Sequence, residues 1–340
     1  MKEKYAKGLA FLVGVDKDKL REFVAERTGK CRILVVGDVM LDKYYYSEVA
    51  RFSSEAPVPV ARVMKEKISL GGAANVARNL SQVGCETFIT GFVGSDTNCE
   101  ALLEQFTLGG IEWRGLVYTD RPTTAKVRIM SGHHQMFRVD FEDRSPRDKE
   151  YTEKLETYIQ QKLNESMDAV IIADYEKGVC TEQICQKIIK YAHAHGVPVI
   201  VNPYGTNWLK YANADYVTPN LAKMNKILLE PLLHPDDTQT ERAGRYVIRK
   251  FKIRNVLATR SEDGISLLGE EASTHIPTKA REVFDSAGAG DTVIAVFATA
   301  LAGGLKPVEG AYLANLAASV VVGKSGTYAI HKEELLEMLA

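Results

Sequence analysis

Five short runs of consecutive apolar, largely β-branched residues recur along the chain: Ile33 to Val36, Ala169 to Ala173, Val197 to Val201, Ala214 to Val217 and Val256 to Ala258. Runs without polar alternation are buried on both sides, which is the condition of strands in a parallel sheet covered by helices. Helix-length segments occupy the intervals, at Ala73 to Val83, Lys149 to Glu165, Thr181 to His195 and Asp237 to Phe251. The pattern predicts an α/β fold, a mostly parallel sheet with helices on both faces. No fixed-period repeat or low-complexity tract interrupts it.

Each run ends on polar residues: Gly37-Asp38, Asp174-Tyr175, Asn202-Pro203, Thr218-Pro219-Asn220 and Thr259-Arg260-Ser261. In an open α/β sheet the ligand crevice lies at the carboxyl ends of the strands, so this series outlines one site. Taken singly, each ending is also an ordinary loop start. Two segments depart from the parallel pattern. Lys43 to Lys67 and Ile111 to Glu142 alternate apolar and polar residues without a long intervening helix, which predicts antiparallel strands of a small inserted β-sheet, a lid or dimer surface.

Composition narrows the function classes. The 340 residues carry 43 Lys+Arg against 44 Asp+Glu, a net charge of -1, so no overall footprint for nucleic acid or an anionic membrane is expected. The longest apolar stretches, Val293 to Ala302 and Leu316 to Val322, fall short of the roughly 18 residues a spanning helix requires. The first residues lack a sustained apolar core with a cleavage site, and the expected location is the cytoplasm. The five cysteines form no C-x-x-C pair and are expected to be reduced. Residues 1–32 are expected to form a helix and connector, with residues 33–340 as the main domain.

The strongest local signal is Asp285-Ser286-Ala287-Gly288-Ala289-Gly290-Asp291-Thr292, followed by the apolar run Val293 to Leu301. Glycines opening a helix turn backbone N–H groups toward one point, where the helix dipole also favours an anion. The Asp291 carboxylate beside that point is suited to accept a proton from an attacking hydroxyl. An aspartate-capped glycine turn gives the same spacing. The chain has no G-x-x-x-x-G-K-[ST], so a P-loop is excluded, and the lack of a G-x-G-x-x-G after its first strand argues against a dinucleotide fold. A second pair, Gly71-Gly72, precedes a helix carrying Asn75, whose amide suits sugar hydroxyls. Close packing of a helix end on the sheet explains that pair equally well.

Together, Gly71-Gly72 with Asn75 and the Asp285 to Asp291 run resemble the two signatures of the ribokinase-like, or PfkB, carbohydrate kinases, over roughly Ile33 to Gly326. Within that family, GDVMLDKYYY, EAPVPV, GGAANVARNL, RVDFE, TPN, ATRSEDG, GAGDTVI and VVVGKSGT look most like the kinases of heptose 7-phosphate. The resemblance implies ATP-dependent phosphorylation of the anomeric hydroxyl, with Asp291 as base and the backbone of Ala287, Gly288, Ala289 and Gly290 as anion hole. It implies that Asp42, Gly72 and Asn75, with Gly71 beside them, face the sugar. Asn220, Thr259, Ser261, Gly264 and Asn315 would line the adenine nucleotide. Magnesium is expected mainly on the nucleotide phosphates, and members of the family often respond to potassium. A sugar that already bears a phosphate needs cations away from the transfer loop. Lys126 and Arg128, two apart on one expected strand, and Arg138 on its neighbour are candidates for that clamp. A solvated outer face of the lid is the other reading of the same three residues.

Three departures from the family pattern stand out. Lys223 occupies the glutamate position of N-x-x-E, Asn202-Pro203-Tyr204-Gly205 replaces an expected Asp-Pro-Lys-Gly, and Ala287 replaces a threonine. A kinase for another sugar, or a weakened homologue that binds sugar phosphate or nucleotide, is therefore an alternative. His133-His134 reads as a hairpin turn, and His193 and His195 as helix-end residues. Tyr44-Tyr45-Tyr46 is expected to pack the lid or an interface, and a homodimer through the lid is expected. The kinase resemblance stops shortly before Ala340, so the later nucleotidyl-transfer step of such a pathway is expected to need a separate protein or domain.

Overall fold

The computed structural model describes residues 14–132, 134–145, 147–278, 283–324 and 326–340. His133, one of the two hairpin histidines, lies outside them. The strands in chain order are β1 (Arg32–Gly37), β2 (Val39–Phe52), β3 (Pro59–Gly72), β4 (Glu86–Thr90), β5 (Phe92–Val93), β6 (Val117–Tyr118), β7 (Ala125–Ser131), β8 (His134–Phe141), β9 (Ala169–Ala173), β10 (Val199–Asn202), β11 (Tyr216–Val217), β12 (Asn255–Thr259), β13 (Ile265–Leu268) and β14 (Ser273–Ile276). Eight of them form one sheet in the order β14-β13-β12-β11-β10-β9-β1-β4. From β4 to β12 every pairing is parallel, and β13 and β14 add an antiparallel edge.

Successive residues of a strand point to opposite faces, and both faces here are apolar. Ile33, Val35, Ile171 and Leu257 pack beneath the helices Ala73–Val83, Ala289–Ala302 and Pro307–Val321. Leu34, Val36, Ile172 and Val256 pack beneath Lys149–Asn164, Glu182–Ala194 and Asp237–Phe251. The helix Ala289–Ala302 is buried from Asp291 to Ala300, as expected of a helix apolar all round. Leu20, Phe23 and Val24 join the first core alongside Leu335 and Leu339 of the last helix, Lys332–Leu339.

The smaller sheet has the order β3-β2-β7-β8. Its outer pairs are antiparallel as expected, but β2 and β7 run parallel, because they enter from different parts of the main domain. The expected lid segment Ile111 to Glu142 is also shorter in fact. Residues 111–124 stay with the main body, where β6 pairs with β5 and Glu112 donates its N–H to Thr87, and only β7 and β8 enter the small sheet.

Candidate active site

Two helices bring the glycine signatures together. Asn75 and Asn79 lie one turn apart on the buried face of Ala73–Val83, facing the start of Ala289–Ala302. The Asn75 amide Nδ2 donates to Asp291 Oδ2 at 2.8 Å, and the Thr292 hydroxyl donates to Asn79 Oδ1 at 2.8 Å. Gly72 begins the first helix at φ 56°, where a Cβ would stand 2.6 Å from the Asp38 carbonyl, and a Cβ on Gly71 would stand 2.5 Å from Asp42 Oδ2. Gly288 precedes the second helix at φ 82°, and a Cβ there would press on the Asn75 amide at 3.0 Å. A Cβ on Gly290 would meet nothing within 4 Å, which leaves the helix start open.

The transfer loop is fastened by Asp285. Its carboxylate accepts from the N–H groups of Ala287 at 2.9 Å and Gly326 at 3.0 Å. Ala289 donates to the Ser286 carbonyl at 3.2 Å. The expected four-residue anion hole is thus partly committed: the Ala287 and Ala289 donors are engaged, and Gly288 and Gly290 are the members not drawn into those bonds.

Asp291 is buried, and burial raises its pKa, with nearby Asp42 acting in the same direction. The hydroxyl of Tyr175, the Asn75 amide and the charge of Lys223 pull it back. Tyr175 donates to Asp291 Oδ1 at 2.5 Å, Asn202 Nδ2 donates to the Tyr175 oxygen at 3.0 Å, and Lys223 Nζ donates to Asn202 Oδ1 at 2.5 Å. Tyr175 was legible only as part of a polar strand ending, and its link to the base needs the fold. Asp38 holds the loop that carries it, accepting from the N–H groups of Tyr175, Lys177 and Val179 at 2.8 to 3.0 Å. Burial, with Asp174 nearby, pushes Asp38 up to about 6.

On the sugar side, Asp42, Lys126, Asp140 and Ser69 fall on one cross-strand rung, and Tyr44, Arg128 and Arg138 on the next, so all share a face. Ser69 receives the Thr327 hydroxyl at 3.0 Å, which turns this face toward the transfer loop. Asp42, expected to face the sugar, also accepts from Arg128 at 2.6 Å, and Arg128 stacks 5.0 Å over the Tyr44 ring. Arg138 is bound to Asp140 of its own strand at 2.8 Å, and Lys177 pairs with Glu142. Lys126 is the cation of this group without an ion-pair partner among the described residues. Burial lowers its pKa most, Asp42 opposes that, and Lys177, Arg128 and Arg138 lower it further.

The nucleotide-side residues gather where the sheet turns antiparallel. Asn220 caps the short helix Leu221–Asn225 by accepting from the Lys223 N–H at 2.8 Å, and it bridges to Thr259. Ser261 and Gly264 form the turn from β12 to β13. The Asn315 amide donates to the carbonyls of Pro277 at 2.9 Å and Ile276 at 3.3 Å, tying down the chain after β14.

These residues do not make a divalent-cation site. Asn202 and Lys223 present an amide and an ammonium where carboxylates are the usual hard-cation donors, and Asp291, Asp42 and Asp174 are engaged by Tyr175, Arg128 and Lys210 respectively. Asp38, Asp174 and Cys180 lie close together, but their carboxylates already serve backbone N–H groups, Tyr211 and Lys210. His193 is held by Asp215 at 2.8 Å and His195 by the Tyr191 carbonyl at 2.9 Å. All five cysteines are free and buried.

A buried aspartate at an open, glycine-led helix start, faced by a small sheet bearing cations, is the arrangement of a sugar kinase. The model for pfkB family carbohydrate kinases matches residues 30–334, and the chain belongs to that family. It is 42% identical over 309 residues to the bifunctional protein HldE of Methylobacillus flagellatus, covering 90% of this chain and 63% of that protein. The HldE of Trichlorobacter lovleyi is 38% identical over 321 residues, covering 94% and 65%. The chain therefore spans a little under two thirds of the length of these relatives. Among solved structures, Arabidopsis thaliana ribokinase complexed with ribose and ATP matches with a TM-score of 0.71 at 19% identity, covering 91% of this chain and 98% of that one. Ribokinase from Thermotoga maritima matches at 0.70 and 21%, covering 91% and 99%. No helix among the described residues is long and apolar enough to cross a membrane.

Proposed function

We propose that the chain transfers the γ-phosphoryl group of ATP to the anomeric hydroxyl of D-glycero-D-manno-heptose 7-phosphate, giving the 1,7-bisphosphate in the synthesis of ADP-heptose. The observation that carries this reading is Lys126, a half-buried ammonium with no ion-pair partner among the described residues, on the face turned toward the transfer loop. A sugar phosphate supplies the missing anion, and its far end then lies toward Asp291. The likeness to the HldE proteins supports the choice of heptose.

The reaction forms a bond from the anomeric oxygen to the γ-phosphorus and breaks the bond from that phosphorus to the β–γ bridging oxygen. Asp291 takes the hydroxyl proton, and ADP leaves. Although Tyr175 and Asn75 each bond one carboxylate oxygen, an ionised carboxylate has about four lone-pair positions, so acceptor capacity remains for the sugar. Positioning and preorganised dipoles account for most catalysis in phosphoryl transfer. No residue here is assigned to magnesium, which would come with the nucleotide and supply neutralisation of phosphate charge.

Lys126→Met is expected to raise KM for heptose 7-phosphate by about 10- to 100-fold, the range of one charge-assisted hydrogen bond, with little change in KM for ATP. Calorimetric titration of the phosphorylated and unphosphorylated heptose checks it. The parent protein should favour the phosphorylated sugar and the variant should not, whereas equal preference in both would contradict the clamp.

The opposite face of the small sheet carries Phe137, Val139 and Phe141, which are 54%, 41% and 48% exposed. We infer that it joins a second copy of the chain, since apolar side chains in a row on an edge strand favour pairing. Scattering mass at micromolar protein should be that of a dimer, and Phe137→Asp should shift it toward the monomer. A monomeric parent protein would contradict this interface.

A further inference from the structure

Two side chains from distant parts of the sequence, Asn202 and Tyr175, join Lys223 to the base in one direction. The Lys223 ammonium has only donors, so the Asn202 atom facing it is the carbonyl oxygen, and the Asn202 NH₂ must face Tyr175. With its oxygen receiving that amide, the Tyr175 hydroxyl sends its single proton to Asp291. Every bond in the sequence Lys223, Asn202, Tyr175, Asp291 therefore donates toward the carboxylate, with a cation at one end and the anion at the other. Such chains strengthen bond by bond in a low-dielectric interior.

We propose that Tyr175, Asn202 and Lys223 are positioning residues that orient Asp291 and keep it ionised, and that Asn202 and Lys223 work as a pair. An amide is required at 202. A carboxylate there would accept from both neighbours and draw the phenolic proton away from Asp291. An ammonium at 223 is required in turn, because it fixes which way the amide points. Among the described residues, the charged and titratable groups around Asp291 are Tyr175, Lys223 and Asp42, and around Lys223 they are Asp291, Asp174 and Lys226. Only Tyr175 touches the base directly among them.

This inference rests on Asp291 as the base, so its test reads the carboxyl group itself as well as turnover. In protein labelled with ¹³C at aspartate side chains, Asp291→Asn identifies the Asp291 resonance. Its titration midpoint is expected to rise by about one pH unit in Tyr175→Phe, and likewise in Asn202→Asp. The double variant should shift no further than either single one, since both remove the same donated proton. The acid limb of kcat/KM should move with the midpoint. Absence of turnover in the parent protein would overturn the kinase reading and leave the titration result standing. An unmoved midpoint in folded Tyr175→Phe, or additive shifts in the double variant, would overturn the chain of donors.

Discussion

Asp291→Asn is expected to lower kcat by about 10³-fold, the middle of the range for loss of a general base, while sugar and nucleotide still bind. The substitution preserves shape but exchanges an acceptor for a donor at one position. Its carbonyl would accept from Tyr175, and its NH₂ would meet the Asn75 amide. Asn75 Oδ1 is buried without a hydrogen-bond partner among the described residues, so rotating that amide by half a turn provides the acceptor. The fold is therefore expected to survive, and the loss to appear in kcat rather than in Kd. Single-turnover rates beside equilibrium titration of each substrate separate the two. A variant with near-normal kcat would remove Asp291 from the mechanism.

Lys223→Gln is expected to make the protein more stable at pH 7 and a poorer catalyst. Burial pulls the Lys223 ammonium down from 10.5 to about 8, with Asp291 and Asp174 opposing and Lys226 assisting. Between those two values the unfolded chain binds the proton and the folded chain has released it, so stability rises with pH across about 8 to 10.5 and is lost as pH falls through 8. Below pH 8 the fold therefore carries the cost of a desolvated ammonium. With Lys223 partly exposed, that cost is about 1–2 kcal/mol. Glutamine keeps a donor for Asn202 and removes the charge. Denaturant titrations at pH 7 and pH 10 should show the variant more stable at the lower pH and the difference closing at the higher. Stability lost at pH 7 would contradict the burial cost. A functional group that the fold holds at a disadvantage fits a site where activity and stability conflict.

The sheet was legible because strands buried on both faces cannot hide their apolar runs. β4 escaped notice because Glu86, Thr87 and Thr90 look polar. The two threonines are nonetheless buried, with hydroxyls donated to the carbonyls of Cys85 and Gly115. β13 and β14 are four residues each, and Ser266, Ser273, Thr274 and His275 make them read as loop. Within the site, Asp291 and the glycine pairs were visible because their signals are local: a turn, a helix start, a carboxylate. The donor chain was invisible for the converse reason. Tyr175, Asn202 and Lys223 lie on separate strand ends and a short helix, and only the order of β9, β10 and β11 makes them neighbours. The traces left in the sequence were the polar strand endings and the two departures, Asn202 and Lys223, which the fold turns into one contact. The bonds from Asn315 to two backbone carbonyls after β14 were likewise invisible, because the sequence does not show which chain packs on that helix.

The most direct measurement is ATP-to-ADP turnover with magnesium, comparing heptose 7-phosphate with ribose, fructose 6-phosphate and no sugar. The account predicts turnover confined to heptose 7-phosphate, with the phosphate appearing on the anomeric oxygen. Turnover with another sugar and none with the heptose would contradict the substrate, and binding of heptose 7-phosphate and ATP without any turnover would contradict the kinase itself.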